Sequence, residues 1–199
     1  YGGNPSNPGS YYTNCYGQAP DFGSGVIQVV TSADAMAALK SDGSVYAWGS
    51  YSSGGCIGDN VDNYAISEFQ TGIEKIYANE WGGYAAINSD GKVLVWGANQ
   101  QGGSLYYTTT GFEAYNNLNT GASEIFATIG AFVALKTDGT IFTWGSRFYG
   151  GDFSHGAADA LGNSLRLTTS PALNSGTAVE RIYSNYQAFA AVYTTGQVV

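Results

Sequence analysis

The side chains that could carry chemistry are few here, and their spacing brings none of them into a working set. The one histidine, His155, stands in a Gly-rich stretch, and a lone His in a polar loop offers no Ser/His/Asp or Cys/His triad. A solvated surface histidine is the simpler reading. Asp59-Asn60-Val61-Asp62 has the opening of a calcium loop, but the Gly at its sixth position is missing and Gln70 stands where the closing Glu belongs. Carboxylates such as Glu113 and Glu124 have no partner at a spacing that suggests a glycosidase pair. No Gly-rich segment runs into Lys-Ser or Lys-Thr, so no phosphate loop is encoded. The only Asn-x-Ser sequon is Asn4-Pro5-Ser6, which its Pro disqualifies. The expectation is a protein with no catalytic residues, no metal and no cofactor.

Two cysteines, Cys15 and Cys56, form no CxxC and no Cys/His cluster, which excludes a zinc site on ligand count. They read as one disulfide or as two unpaired thiols, and the disulfide suits a secreted chain. The first residue is Tyr1 rather than Met, which fits removal of a signal peptide or simply where the sequence begins. No apolar run approaches the roughly 20 residues that span a bilayer. Fifteen acidic and seven basic residues give a net charge of −8, and the basic ones form no run. A polyanion partner needs a basic patch to displace counterions, so nucleic acid and anionic membranes are excluded as partners.

The elements that would hold any site come from a repeat. Trp-Gly recurs at Trp48-Gly49, Trp96-Gly97 and Trp144-Gly145, a step of 48 residues both times. Asp42-Gly43, Asp90-Gly91 and Asp138-Gly139 keep the same step, as do Gly54-Gly55, Gly102-Gly103 and Gly150-Gly151. Each Asp-Gly lies between two short apolar runs, 35–41 with 44–48, 85–89 with 92–96, and 133–137 with 140–144. That is a hairpin signal, and it predicts a two-residue type I′ turn. Upstream pairs Val29-Val30, Ile76-Tyr77, Ile125-Phe126 and Ile182-Tyr183 predict one more strand per unit. Gly at 29 residues, Tyr at 16 and only 11% charged residues suit short strands and tight turns, so the fold class is all-β. A Trp that recurs has two readings, a ligand platform or a packing residue between sheets, and strict repetition favours packing.

The strings ALKSDGSVYAWG, AINSDGKVLVWG and ALKTDGTIFTWG resemble the repeat of the regulator of chromosome condensation family. They are similar above all to a variant in large, often secreted microbial repeat proteins, where Gly-Gly-Asp follows the Trp-Gly. Gly150-Gly151-Asp152 matches that variant fully, Gly54-Gly55-Cys56 and Gly102-Gly103-Ser104 in part. The resemblance implies propeller blades of about four antiparallel strands, usually seven to a closed ring. This sequence carries about three and a half, with units near 26–72, 73–121, 122–178 and a partial 179–199, so an open partial propeller is expected. Nothing matches the loops on which the founding member's nucleotide-exchange role depends, so that role is not carried over.

Residues 1–25, rich in Gly, Pro, Asn, Ser and Tyr, read as an extended arm ahead of the repeat domain at 26–199. The stretches 56–72, 104–121 and 152–178 are polar and variable, and 157–161 fits one helical turn. By the repeat's spacing the next Trp-Gly starts two residues past Val199, so the sequence stops inside a strand with an unpaired edge. The functional expectation is an extracellular or cell-surface structural protein. Its repeat edges and Tyr-rich arm would join identical chains into an oligomer or filament, or two chains would complete one ring. The alternative is a glycan-binding lectin-like module using loop tyrosines, with Tyr51, Tyr106 and Tyr107 as contacts and Tyr11 and Tyr12 in the arm.

Overall fold

The computed structural model describes residues 24–57, 66–105, 118–151 and 178–198. It is all-β. Three antiparallel sheets of three strands follow one another: β1 (Val26–Thr31), β2 (Ala35–Lys40), β3 (Val45–Gly49); β4 (Ile73–Ala78), β5 (Gly83–Asn88), β6 (Val93–Gly97); β7 (Ala122–Ala127), β8 (Ala131–Lys136), β9 (Ile141–Gly145). A fourth pairs β10 (Val179–Ser184) with β11 (Phe189–Tyr193), and Val198 bridges Val192 where a third strand would lie. Each sheet is one unit of the 48-residue repeat, a blade. The four blades form an open partial propeller. The fourth strand per blade that the family resemblance implies is not found among the described residues, and the long inter-repeat stretches lie outside them.

The Asp-Gly hairpin is real, but its turn is not the two-residue type. Gly43 N–H donates to the carbonyl of Lys40 at 2.9 Å, and Lys40 N–H donates to the carbonyl of Ser44 at 2.9 Å. The loop therefore holds three residues, 41–43, a tight turn closed by a left-handed glycine with φ 79° at Gly43. The same bonds recur at Gly91, Gly139 and Gly196. Only one position needs positive φ, which is why Ser, Thr or Asp can fill the other two. Asp42 Oδ1 accepts from the Ser44 N–H at 3.0 Å and its hydroxyl at 2.6 Å. Asp138 does the same for Thr140, and these bonds hold both carboxyls below the usual carboxylate range. In the second blade Lys92 replaces the hydroxyl residue, and Asn88 Oδ1 takes over the turn by accepting from the N–H groups of Asp90 and Lys92.

Every first strand carries a bulge, at Ile27, Glu74, Ser123 and Glu180. The extra residue turns positions on either side of it to one face. Ile73 and Ile76 are thus buried together against the first blade, and Val179 and Ile182 against the third. Residues between them face the following blade. Gln28 bonds both the N–H and the carbonyl of Ile76, at 3.0 and 2.7 Å, and Lys75 donates to the carbonyl of Ser123 at 2.9 Å. The buried core crosses blade boundaries rather than staying within each sheet: one cluster spans the first three blades and a second joins the third to the fourth. No helix among the described residues is long and apolar enough to cross a membrane.

Candidate functional site

The repeated Trp-Gly and Gly-Gly pairs meet each other across blades. Trp96 is fully buried, and its indole N–H donates to the carbonyl of Gly54 in the preceding blade at 3.1 Å. Trp144 repeats the bond to Gly102 at 3.1 Å. Each indole stacks on an aromatic of its own middle strand, Tyr84 at 5.1 Å and Phe132 at 5.3 Å. Those rings lie over the preceding Gly-Gly. A Cβ on Gly102 would come 2.7 Å from the Phe132 ring and one on Gly150 2.8 Å from Phe189, so only glycine leaves room. Tyr84 reaches further, its hydroxyl donating to Ser32 Oγ of the first blade at 3.0 Å, and burial pushes this phenol up. The tryptophans are thus packing residues. Trp48 of the first blade is half-buried.

Gly49, Gly97 and Gly145 end the third strands in positive-φ backbone and lie against the turn between the first two strands. Those turns carry a second repeated device, which sequence reading misses. Ser32, Asn79, Thr128 and Asn185 each accept, through a side-chain oxygen, the N–H of the residue three or four ahead. In the first three blades the same side chain also donates to the short 3-10 turn after the Trp-Gly, at the carbonyls of Ser53, Gln101 and Tyr149. The chemistry is constant while the residue type varies among Ser, Asn and Thr, so no letter repeats.

The turns are also tied to each other. Ala33 N–H donates to the carbonyl of Glu80 at 2.9 Å, Trp81 N–H to Ile129 at 3.1 Å, and Ile129 N–H to Tyr186 at 3.1 Å. Ala33, Trp81, Ile129 and Tyr186 occupy one position on successive blades, three residues before Met36, Tyr84, Phe132 and Phe189. This backbone staircase fixes one rim of the blades. The rim is aromatic: Trp81 is 39% exposed, Tyr186 60% and Phe148 73%. Trp81 meets Tyr149 edge-on at 4.6 Å, and the Arg147 guanidinium lies 4.8 Å from the Phe148 ring centre. Trp81 is the one tryptophan outside the Trp-Gly register, which is the signal that could have found it.

Of the residues expected to contact a ligand, Tyr51 lies half-buried in the first 3-10 turn, on this same rim. Tyr106 and Tyr107 lie outside the described residues, as do His155, Tyr11, Tyr12, the segment 59–62 and the helical turn at 157–161. Cys56 is buried and disulfide-bonded, and its expected partner Cys15 lies outside the described residues. Among the described residues no three His, Cys, Asp or Glu side chains gather as metal ligands would.

Tandem three-stranded blades locked by an indole on the preceding Gly-Gly define a protein of the β-propeller class. No family model and no curated protein matches the sequence. Solved structures do match. Human WBSCR16 is 20% identical with a TM-score of 0.51, over 90% of this chain and 48% of that one. Yeast RCC1 (Prp20) bound to Kap60 is 16% identical with a TM-score of 0.55, over 90% and 44%. Prp20p from Saccharomyces cerevisiae, studied with its binding to Gsp1p and histones, is 17% identical with a TM-score of 0.51, over 87% and 42%. The chain has the fold of regulator of chromosome condensation (RCC1)-type propeller repeats, and it spans less than half the length of these proteins.

Proposed function

We propose that this is a non-catalytic, extracellular structural or interaction protein that joins copies of itself through the two outer faces of its blade stack. The observation that carries the reading is the interface repeated inside the chain. Ile73 and Ile76, which face the preceding blade, are 4% and 0% exposed. Their equivalents on the first blade, Val26 and Val29, are 37% and 52% exposed. On the other side, Tyr77 is half-buried and its phenol bonds the backbone of Ile125 in the next blade. Its equivalent Tyr183 is 56% exposed. One outer face therefore presents the apolar half of the internal interface and the other presents the aromatic half. Such faces are heterologous, so association runs head to tail, into a ring or a filament. The arm at residues 1–25 adds a second contact element, tethered through a Cys15–Cys56 disulfide. That RCC1-type proteins such as Prp20 are found with protein partners supports an interaction role over a catalytic one.

The experiment is light scattering of the chain across a concentration series with two variants. The parent forms growing species, whereas Val29→Glu and Tyr183→Glu each stay monomeric. Mixing the two variants yields dimers and nothing larger, because each supplies the one good face the other lacks. A parent that stays monomeric at every concentration, or a mixture that behaves as its separate parts, overturns the proposal.

A further inference from the structure

We propose that the aromatic rim formed by Trp81, Phe148, Tyr149 and Tyr186 is a binding site for a neutral, linear polysaccharide. The repeat does not require an aromatic ring at the position of Trp81. The position held by Trp81 is Ala33 in the first blade and the buried Ile129, 4% exposed, in the third. The turn that carries Trp81 is one residue longer than its counterparts, with Glu80 added. A large ring has been set on a short turn and left partly in water.

That ring is also immobilised. The Trp81 N–H is bonded to the carbonyl of Ile129, its indole lies against Gly130, and it meets Tyr149 edge-to-face at 4.6 Å. A fixed and partly exposed indole costs little further ordering when a flat partner settles on it. Tyr186 follows two steps along the same hydrogen-bonded staircase, and the 3-10 turn of the blade between them carries Phe148 and Tyr149, so rings come to the rim from three successive blades. A row of rings fits a periodic ligand. Pyranose rings offer it faces of C–H groups to lie on aromatics, with hydroxyls at their edges.

The polar groups at this rim narrow the class. Glu80 and Arg147 are exposed and flank the rings, which gives an acceptor and a donor for hydroxyls. The net charge of −8 opposes an anionic polymer, and the Arg147 guanidinium beside the Phe148 ring opposes a cationic one, so the ligand argued for is uncharged. A purely apolar partner would leave the two charges without water. A proline-rich peptide could stack on the same rings, and it is the rival that the experiment separates.

The test titrates the chain with cellohexaose, xylohexaose, mannohexaose and maltohexaose, and in parallel with polygalacturonate and a proline decamer. Tryptophan fluorescence and calorimetry report binding. Saturable binding of at least one neutral hexasaccharide is expected, weakened about tenfold or more by Trp81→Ala and by Tyr186→Ala, the loss of one stacked ring. Trp81→Phe retains most of the affinity because it keeps a ring face. Thermal unfolding checks each variant, and if Trp81→Ala does not fold, Phe148→Ala and Tyr186→Ala carry the test. No binding of any neutral hexasaccharide, binding indifferent to these substitutions, or binding of the proline decamer or polygalacturonate instead, overturns the proposal. Self-association is read separately by light scattering, so failure of either proposal leaves the other standing.

Discussion

Replacing Trp96 by Phe tests the claim that the repeated tryptophan locks each blade onto the one before it. The indole is completely buried, stacked 5.1 Å from Tyr84, edge-on to Phe69 at 5.4 Å, and bonded to the Gly54 carbonyl at 3.1 Å. Phe keeps an aromatic face for Tyr84 and Phe69 but has no donor. Gly54 is buried too, so its carbonyl loses a partner that water cannot replace, at about 1–3 kcal/mol. The smaller ring also leaves a gap, which adds ~1 kcal/mol if the site collapses only in part. Together the variant should lose about 2–4 kcal/mol. In a chain of this size each kcal/mol moves Tm by about 2–4 °C, so a fall of roughly 6–12 °C is expected for the middle of that range. Differential scanning calorimetry and urea titration measure it. Trp144→Phe should behave alike, since its bond to Gly102 is also 3.1 Å. Trp81→Phe, at a site 39% exposed, should cost less, about 1 kcal/mol or under. A Trp96→Phe chain within 0.5 kcal/mol of the parent, or one no worse than Trp81→Phe, would refute the locking argument.

Gly102→Ala should lose about 2–4 kcal/mol by urea titration, because it adds strain at φ 91° to a Cβ 2.7 Å from Phe132, whereas Gly196→Ala, with open space around it, should lose only the strain of roughly 1–2 kcal/mol. Asp42 and Asp138 are depressed by their bonds to Ser44 and Thr140, so the stability they give is present above the ordinary carboxylate value and is lost as pH falls through the depressed one. Acid titrations followed by circular dichroism should show that loss reduced in Asp138→Asn. Burial pushes the Tyr77 phenol up to about 12, so its contribution is complete below the ordinary value of 10.0 and is lost as pH rises toward the raised one. Tyr77→Phe should flatten the fall in Tm over that alkaline range. Reduction should cost on the order of 3–4 kcal/mol if Cys15 and Cys56 close the loop between them. Peptide mapping without reductant should recover the two cysteines as one linked pair, and recovery of either as a free thiol would contradict it.

What could be read from the sequence was whatever repeats as a letter. Trp96, Gly97, Gly91, Gly102 and Gly103 each have a fixed geometric task that one residue type performs, so a step of 48 exposes them. The turn type was misjudged because Asp-Gly is common to two-residue and three-residue hairpin loops. The flanking Ser41, Ser89 and Thr137 belong to the turn and not to the strand. The capping residues Ser32, Asn79, Thr128 and Asn185 escaped because a hydroxyl and an amide perform the same task there. The first-strand bulges escaped because an added residue disturbs the alternation by which strands are recognised. Trp81 escaped for the opposite reason: it occurs once, and in a repeat protein a residue that occurs once carries no register.

That contrast bears on where function resides. In the second and third blades the repeated residues are used up by the blade before: indole on Gly-Gly, and Ile76 and Ile125 beside the bulge in the shared core. Any change in them is felt in packing first, so they leave little freedom for specificity. The positions that vary between blades at a constant backbone place are under a weaker demand, since residues of different size fill them. On the rim that place holds Ala33, Trp81, Ile129 and Tyr186, four residues of very different size on turns joined by the same hydrogen bonds. Backbone bonds hold the staircase whatever the side chain is, so the side chain is free to be chosen for what it meets outside. The outer faces obey the reverse logic. Val29 keeps the apolar character of Ile76, Ile125 and Ile182, and Tyr183 the aromatic character of Tyr77 and Phe126, the first blade holding Val30 at that position. Such residues placed in water expose apolar surface that a second blade face of the same pattern would bury, which is why self-association is argued from the faces and ligand binding from the rim.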